Sequence, residues 1–160
     1  MGLYPLLRDA LFRLPPETAH GLALGALRPF DLFSPAQALL RPLFDARPRP
    51  VTAFGLTFRN PLGLAAGYDK NAVAWRAFAS LGFGHIEVGT VTLRPQPGNP
   101  RPRLHRLPAD RALINSMGFP SAGAGAVARQ LQRPRPSGLI VGVNLGKNKE
   151  TPLERASDDY

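Results

Sequence analysis

The hydrophobic pattern changes period once along the chain, near residue 47. Before that point apolar positions recur at helical spacing. Leu3, Leu7, Ala10, Leu11 and Leu14 fall on one face, with Arg8, Asp9 and Arg13 mostly elsewhere. Pro15 and Pro16 end that helix and open a second over residues 16–28, since Pro is tolerated in a first helical turn. Ala19, Leu22, Ala23, Ala26 and Leu27 make its apolar stripe, and "FDLFSPAQALLRPLFD" after Pro29 reads as a third short helix. By pattern, this greasy unit packs on the domain that follows. Two other readings stay open: a partner helix, or a membrane interface in which Leu and Phe enter the acyl boundary and Arg meets headgroups.

"ARPRPV" (46–51) is a Pro-rich linker, and beyond it the pattern becomes strand-like. "TAFGLTFRN" alternates as a strand pair with Gly55 at the turn. "PLGLAA" (61–66), "HIEVGT" (85–90) and "LIVGVNL" (139–145) are short apolar runs of the kind buried on both faces of a parallel sheet. Between the first two, "NAVAWRAFASLGF" places Val73, Ala77 and Leu81 on one helical face and stops at Gly82. "RLHRL" and "ALINSMGF" read as a hairpin insertion, and "SAGAGAVARQLQ" as the next helix. Strand–helix–strand order predicts an α/β fold with a parallel sheet. A closed (β/α)8 barrel takes about 250 residues, so 160 residues are expected to supply only its first strands.

Composition narrows the function classes. An apolar fraction of 44% is that of a globular protein, and zero Cys excludes disulfides and thiolate metal sites. His20, His85 and His105 lack metal-ligand spacing, so no metal is expected. The net charge of +9 raises the prospect of nucleic acid or anionic lipid as partner. The Arg residues are scattered beside Pro and Leu, however, with no aromatic-interleaved basic sheet, and a solvated basic surface is the better reading. No apolar run approaches the ~20 residues needed to span a bilayer. Arg8, Asp9 and Arg13 make the N-terminus a poor signal peptide.

In α/β barrels, function collects at the carboxyl ends of strands. Those ends here read "AAGYDKN", "VGTVT" and "VNLGKNK". Bare backbone at Ala65–Gly67 suits the edge of a flat ring. Lys70 offers a cation to a ring that becomes anionic on reduction, and Thr90 and Asn144 offer donors and acceptors. The bland alternative for "NPLGLAAGYDKN" is a tight turn in which Asp69 merely starts a helix. Neither GxGxxG nor GxxxxGK[ST] occurs, which sets aside Rossmann and P-loop sites.

"NPLGLAAGYDKN", "GFGHIEVGTVTLRPQPGNPRPRLHRL", "LINSMGF" and "VGVNLGKNKETPLE", in this order and spacing, resemble the N-terminal part of the dihydroorotate dehydrogenase family. The resemblance is to the membrane-associated, quinone-dependent class, and it runs from residue 1 to 160. It implies a (β/α)8 barrel with FMN at its carboxyl face, oxidising dihydroorotate to orotate in de novo pyrimidine (UMP) biosynthesis and passing electrons to a membrane quinone. Residues 1–47 would be a helical membrane dock and quinone-tunnel extension, reversing the pattern-only preference, and 48–160 the first part of the FMN barrel. The protein would sit peripherally on the cytoplasmic face of the cell membrane, with no nucleic-acid partner.

By the same resemblance, Ala65, Ala66, Gly67, Tyr68, Asp69, Thr90 and Asn144 correspond to flavin-contacting positions. Lys70 would touch flavin and orotate, and Asn115, Ser116, Met117, Gly118 and Phe119 would form the substrate loop. His20 and Arg106 line the quinone tunnel. Ser116 stands where the family usually has Arg, and Pro120 where Asn usually follows Phe. No catalytic residue is assigned: the family's serine base belongs to an "NISSPNT"-like segment expected beyond residue 160, so these residues alone are expected neither to hold FMN tightly nor to turn over. Two alternatives remain: another FMN barrel, of the soluble dihydroorotate or dihydropyrimidine dehydrogenase type, and a non-catalytic basic protein that binds anionic lipid or nucleic acid.

Overall fold

The computed structural model describes residues 3–44 and 48–160. The start of the "ARPRPV" linker and the boundary at residue 47 lie outside the described residues. Three helices come first: α1 (Leu3–Phe12), α2 (Pro16–Leu32) and α3 (Ser34–Phe44). The α/β part holds β1 (Val51–Ala53), β2 (Leu56–Phe58), β3 (Gly63–Leu64), α4 (Trp75–Ser80), β4 (His85–Val91), β5 (Leu104–Leu107), β6 (Ala112–Asn115), α5 (Ala124–Leu131) and β7 (Ile140–Leu145). A 3₁₀ stretch, Leu153–Asp159, follows.

β3, β4 and β7 form a parallel sheet in that order, as the apolar runs predict. Two antiparallel hairpins flank it, β1–β2 and β5–β6. The first turns on Phe54 (φ 53°) and Gly55 (φ 72°), two successive positive φ values whose twist suits a tight hairpin. The core lies between the sheet and the helices: Trp75 and Phe78 of α4, Ile86, Val88 and Val91 of β4, Val127 of α5, and Leu139. Leu24 and Leu27 of α2 pack against it.

Several elements differ from the sequence expectation. α2 continues through Pro29 to Leu32, and the Phe33 N–H donates to the Pro29 carbonyl at 3.1 Å. Its last turn is held by tertiary bonds that the local pattern does not encode. Asp31 is 0% exposed, and its Oδ1 accepts the α4 amides of Arg76 at 2.7 Å and Ala77 at 3.4 Å. Oδ2 pairs with Arg133. Ala74, the residue before α4, makes no side-chain cap of its own, so a carboxylate from another helix caps α4.

The buried side of α2 is also rotated from the expected stripe. Leu24 and Leu27 face the core, whereas Leu22 is exposed. α4 begins at Trp75 rather than near residue 71, because the Asp69 carboxylate takes the N–H groups of Val73 and Ala74 in place of a first helical turn. β3 is cut to two residues for the same reason: the chain after Leu64 already bends into that turn. β4 is largely buried, but Val143 and Leu145 of β7 are exposed, so β7 is not covered on both faces.

Candidate functional site

Between β4 and β7 the register slips once. Val88 pairs with Val143 and Val91 with Leu145, leaving Gly89 and Thr90 in a bulge. Gly89 is required there: its φ is 115°, and a Cβ would lie 2.4 Å from the Asn144 carbonyl oxygen. The bulge brings Thr90 to Asn144, so that Thr90 Oγ1 donates to Asn144 Oδ1 at 2.6 Å. Asn144 Nδ2 donates to Glu87 Oε1 at 3.3 Å, which fixes the orientation of the amide.

The neighbouring turn, 65–70, is held from beneath. Gly67 N–H donates to the Gly89 carbonyl at 2.7 Å. Asp69 is 0% exposed and accepts Val73 N and Ala74 N, each at 2.8 Å. Burial pushes its carboxyl pKa up, against the lowering effect of those two N–H groups. The Asp69 side chain therefore anchors the turn that precedes α4. Lys70 Nζ donates to the Gly67 carbonyl. Burial, and then the Arg103 cation, hold its ammonium pKa below the usual lysine value, with Glu17 and Asp69 opposing. Space beside Gly67 is open, with no atom within 4 Å of where a Cβ would stand.

His20 of α2 reaches the same turn. Its Nε2 lies 2.7 Å from the Tyr68 carbonyl oxygen, an acceptor only, so Nε2 carries the proton. The His20 and Tyr68 rings meet edge-on at 4.8 Å, and Tyr68 in turn meets Phe78 at 5.6 Å. Burial raises the pKa of the Tyr68 phenol.

The loop Asn115–Phe119 leaves β6 and closes the opposite side. Gly118 (φ 69°) and Phe119 (φ 51°) turn it, and a Cβ on Gly118 would stand 2.7 Å from the Asn99 side chain. Its backbone is held almost everywhere. Ser116 N donates to the Arg103 carbonyl at 2.9 Å, Asn99 Nδ2 to the Ser116 carbonyl at 2.8 Å, and Gln96 Nε2 to the Phe119 carbonyl at 2.9 Å. None of these bonds uses the Ser116 side chain, so they brace the loop without it.

These segments enclose a cleft of about 740 Å³ at the carboxyl end of the parallel sheet. It is lined by Ala66, Gly67, Tyr68 and Lys70, by Thr90 and Asn144, by Asn115 to Phe119, and by His20. Twelve of the fifteen residues singled out from sequence thus share one cavity. The other three lie apart. Ala65 and Asp69 do not line it. Arg106 lies in a neighbouring cavity of about 610 Å³ between β5 and α1. There it donates to the Leu14 carbonyl at 2.7 Å and stacks over Phe12 at 4.5 Å. Leu113 lines both cavities. Sequence reasoning missed Asn99, Leu104 and Leu113 in the cleft. Asn99, between Gly98 and Pro100, carries a turn signal that marks it as a loop residue without revealing its partner.

The cleft lies at the carboxyl ends of parallel α/β strands, where α/β folds place their ligand sites, with open space beside Gly67 on one wall and a half-buried lysine. The family described as dihydroorotate dehydrogenase matches residues 50–160, and the chain belongs to that family. Its curated relatives include proteins named dihydroorotate dehydrogenase (quinone). The one from Acidithiobacillus ferrooxidans is 55% identical, covering 98% of this chain and 44% of its own length. The one from Roseiflexus is 56% identical, over 99% of this chain and 45% of its own length. This chain thus spans less than half the length of those relatives. Among solved structures it is similar to a DHODH from Eimeria tenella in complex with ferulenol, with a TM-score of 0.70 and 39% identity over 90% of this chain and 38% of that one.

Proposed function

We propose that this chain forms the flavin seat and substrate loop of a quinone-dependent dihydroorotate dehydrogenase. In this reading β3, β4 and β7 belong to a (β/α)8 barrel whose cofactor is FMN. The observation that carries the reading is the convergence of residues 66–68, 70, 90, 115–119 and 144 on one cleft. The residues present fit a flavin ring: open backbone at Gly67, a paired hydroxyl and amide at Thr90 and Asn144, and the Lys70 cation. When bound, FMN supplies the two-electron acceptor for dihydroorotate and the donor to quinone.

The chain's own groups bind and orient. Lys70 holds a positive charge beside ring and substrate, stabilising negative charge that develops there. Asn115 gives the pyrimidine a hydrogen-bonding side chain, and the braced backbone of 116–119 holds the loop against it. Leu104, Leu113 and Phe119 form the apolar wall. The C5 proton of dihydroorotate leaves as hydride departs from C6; the proton acceptor is proposed to be the family's serine, for which residues 1–160 hold no counterpart, and these residues alone are proposed not to turn over.

Residues 1–47 are proposed to dock peripherally on the cytoplasmic face of the membrane, and His20 and Arg106 to line the quinone path. In support, Leu6, Leu22, Leu39 and Leu43 are exposed on α1–α3, and Phe33 between α2 and α3. Among the described residues no helix is long and apolar enough to cross a membrane. The test is an acceptor comparison on a fusion of this chain with the C-terminal part of the Acidithiobacillus relative. Dihydroorotate oxidation with a ubiquinone analogue, and not with NAD or fumarate, is expected. Preference for NAD or fumarate sinks the quinone assignment.

A further inference from the structure

Arg103 is a buried cation, 6% exposed, at the mouth of β5, and the flavin and substrate assignments leave it without a role. Its guanidinium is fully engaged. Nε and Nη2 donate to Glu17 Oε1 at 3.1 and 3.0 Å, a two-donor contact with α2. Nη1 donates to the carbonyls of Pro97 at 2.7 Å and Asn99 at 2.8 Å, and lies 3.4 Å from that of Met117. The Arg103 main-chain carbonyl accepts Ser116 N at 2.9 Å, and Asn99 N donates to the Met117 carbonyl at 3.0 Å. One residue thus joins three segments: the start of α2, the 97–99 turn, and the substrate loop.

The packing leaves no slack around this junction. Gly98 has φ +76°, and a Cβ there would stand 2.3 Å from the Met117 carbonyl oxygen and 2.7 Å from Arg103 Nη1. Glu17 is itself held, because its Oε2 also pairs with Arg101 Nε at 2.9 Å. A lysine cannot replace the fork, since only a guanidinium presents donors to a carboxylate and to several carbonyls in one plane.

We propose that Arg103 is a positioning residue that fixes the substrate loop 115–119 through Glu17, so that the seating of helix α2 sets the shape of the substrate site. This rests on the dihydroorotate reading for the identity of the ligand, but the mechanical coupling does not. It gives the N-terminal helices a second task beyond docking: a displacement of α2 is transmitted to the dihydroorotate side of the cleft.

The test uses Glu17→Gln and Arg103→Lys, with Thr18→Ala, an exposed neighbour on the same helix, as control. Amide exchange and the dihydroorotate KM and kcat are both measured on the FMN-loaded fusion with the C-terminal part of the Acidithiobacillus relative. Both variants are expected to speed exchange at Asn99 and Ser116 about tenfold, leaving β4 and α5 at parental rates. The dihydroorotate KM is expected to rise about fivefold or more with kcat within about twofold, and Thr18→Ala to change neither. Parental exchange at Asn99 and Ser116 in both variants overturns the coupling. Equal acceleration in β4 and α5 also overturns it, since that is general destabilisation. Local loosening with unchanged KM overturns the substrate part. A parent fusion that does not oxidise dihydroorotate, with local loosening intact, sinks the proposed function and leaves the coupling standing.

Discussion

Replacing Asp31 tests how the helical unit is fastened to the α/β part. The carboxylate is 0% exposed and serves three donors: the amides of Arg76 and Ala77 at the start of α4, and the guanidinium of Arg133. Each charge-assisted bond is worth about 1.5–3 kcal/mol, and breaking a buried pair costs about 3–5 kcal/mol. The three bonds share one carboxylate and do not add. Arg133 also keeps the Gln130 and Ala72 carbonyls as partners at 3.0 and 3.1 Å. Asp31→Ala is therefore expected to cost about 4 kcal/mol, and Asp31→Asn, which keeps one acceptor oxygen, about 2 kcal/mol. With a urea m-value of about 2 kcal/mol per molar, the midpoints fall by about 2 M and about 1 M. Trp75 is the sole tryptophan, 1% exposed and at the start of α4, so its fluorescence reports the transition where the cap is lost. Asp9→Ala, an exposed partner of Arg8, serves as control and is expected to shift stability by less than about 0.5 kcal/mol. An Asp31→Ala midpoint within about 0.5 M of the parent, roughly 1 kcal/mol, refutes the tertiary-cap argument.

Lys70→Met removes a half-buried ammonium whose pKa is depressed, so the urea midpoint at pH 7 is expected to stay level or rise while orotate binding is lost; a lower midpoint refutes this. The depressed pKa also has a sign: the folded state sheds the proton first, so the Lys70 contribution to stability increases as pH rises toward the unfolded value of about 10.4, and urea melts of parent against Lys70→Met across pH 8–10 read it. Asp159 behaves oppositely. The Thr151 hydroxyl and the Asn148 N–H hold its carboxyl below the usual aspartate value, so its contribution is full above about pH 4 and lost as pH falls through the folded pKa. Asp159→Asn is expected to flatten that acid limb in urea melts between pH 2 and 5. Gly89→Ala places a methyl against the Asn144 carbonyl, and loss of the Thr90–Asn144 bond is expected as an upfield change in the Thr90 hydroxyl-proton resonance. A parental spectrum counts against the bulge as the positioning device.

The parallel strands were legible because apolar runs of four to seven residues between turn signals have few other fates, and the Phe54–Gly55 hairpin because alternation and Gly coincide. Helix ends were not legible where tertiary bonds override local rules. Pro29 reads as a stop, yet Asp31 is pulled into the α4 cap two residues later, and the Asp69 carboxylate consumes the amides that would have begun α4 earlier. The cleft was readable as motifs because its walls are strand ends, whose short polar side chains stand out after apolar runs. Its bracing was not. Arg103, Gln96 and Asn99 act on main-chain carbonyls, which every residue carries, so no spacing in the sequence marks the partners. The resemblance groups Arg106 with His20; its guanidinium bonds the carbonyls of Phe12 and Leu14 in the adjoining cavity, which shares Leu113 with the cleft.

The cleft walled by Gly67, Lys70, Thr90, Asn144 and the 115–119 loop is proposed to seat a flavin next to dihydroorotate. The most direct measurement is anaerobic absorbance of the FMN-loaded fusion with the C-terminal part of the Acidithiobacillus relative. Addition of dihydroorotate is predicted to bleach the flavin band, a ubiquinone analogue to restore it, and Lys70→Met to slow or abolish the bleaching. A fusion that folds and retains FMN, yet whose spectrum dihydroorotate leaves unchanged, contradicts the account.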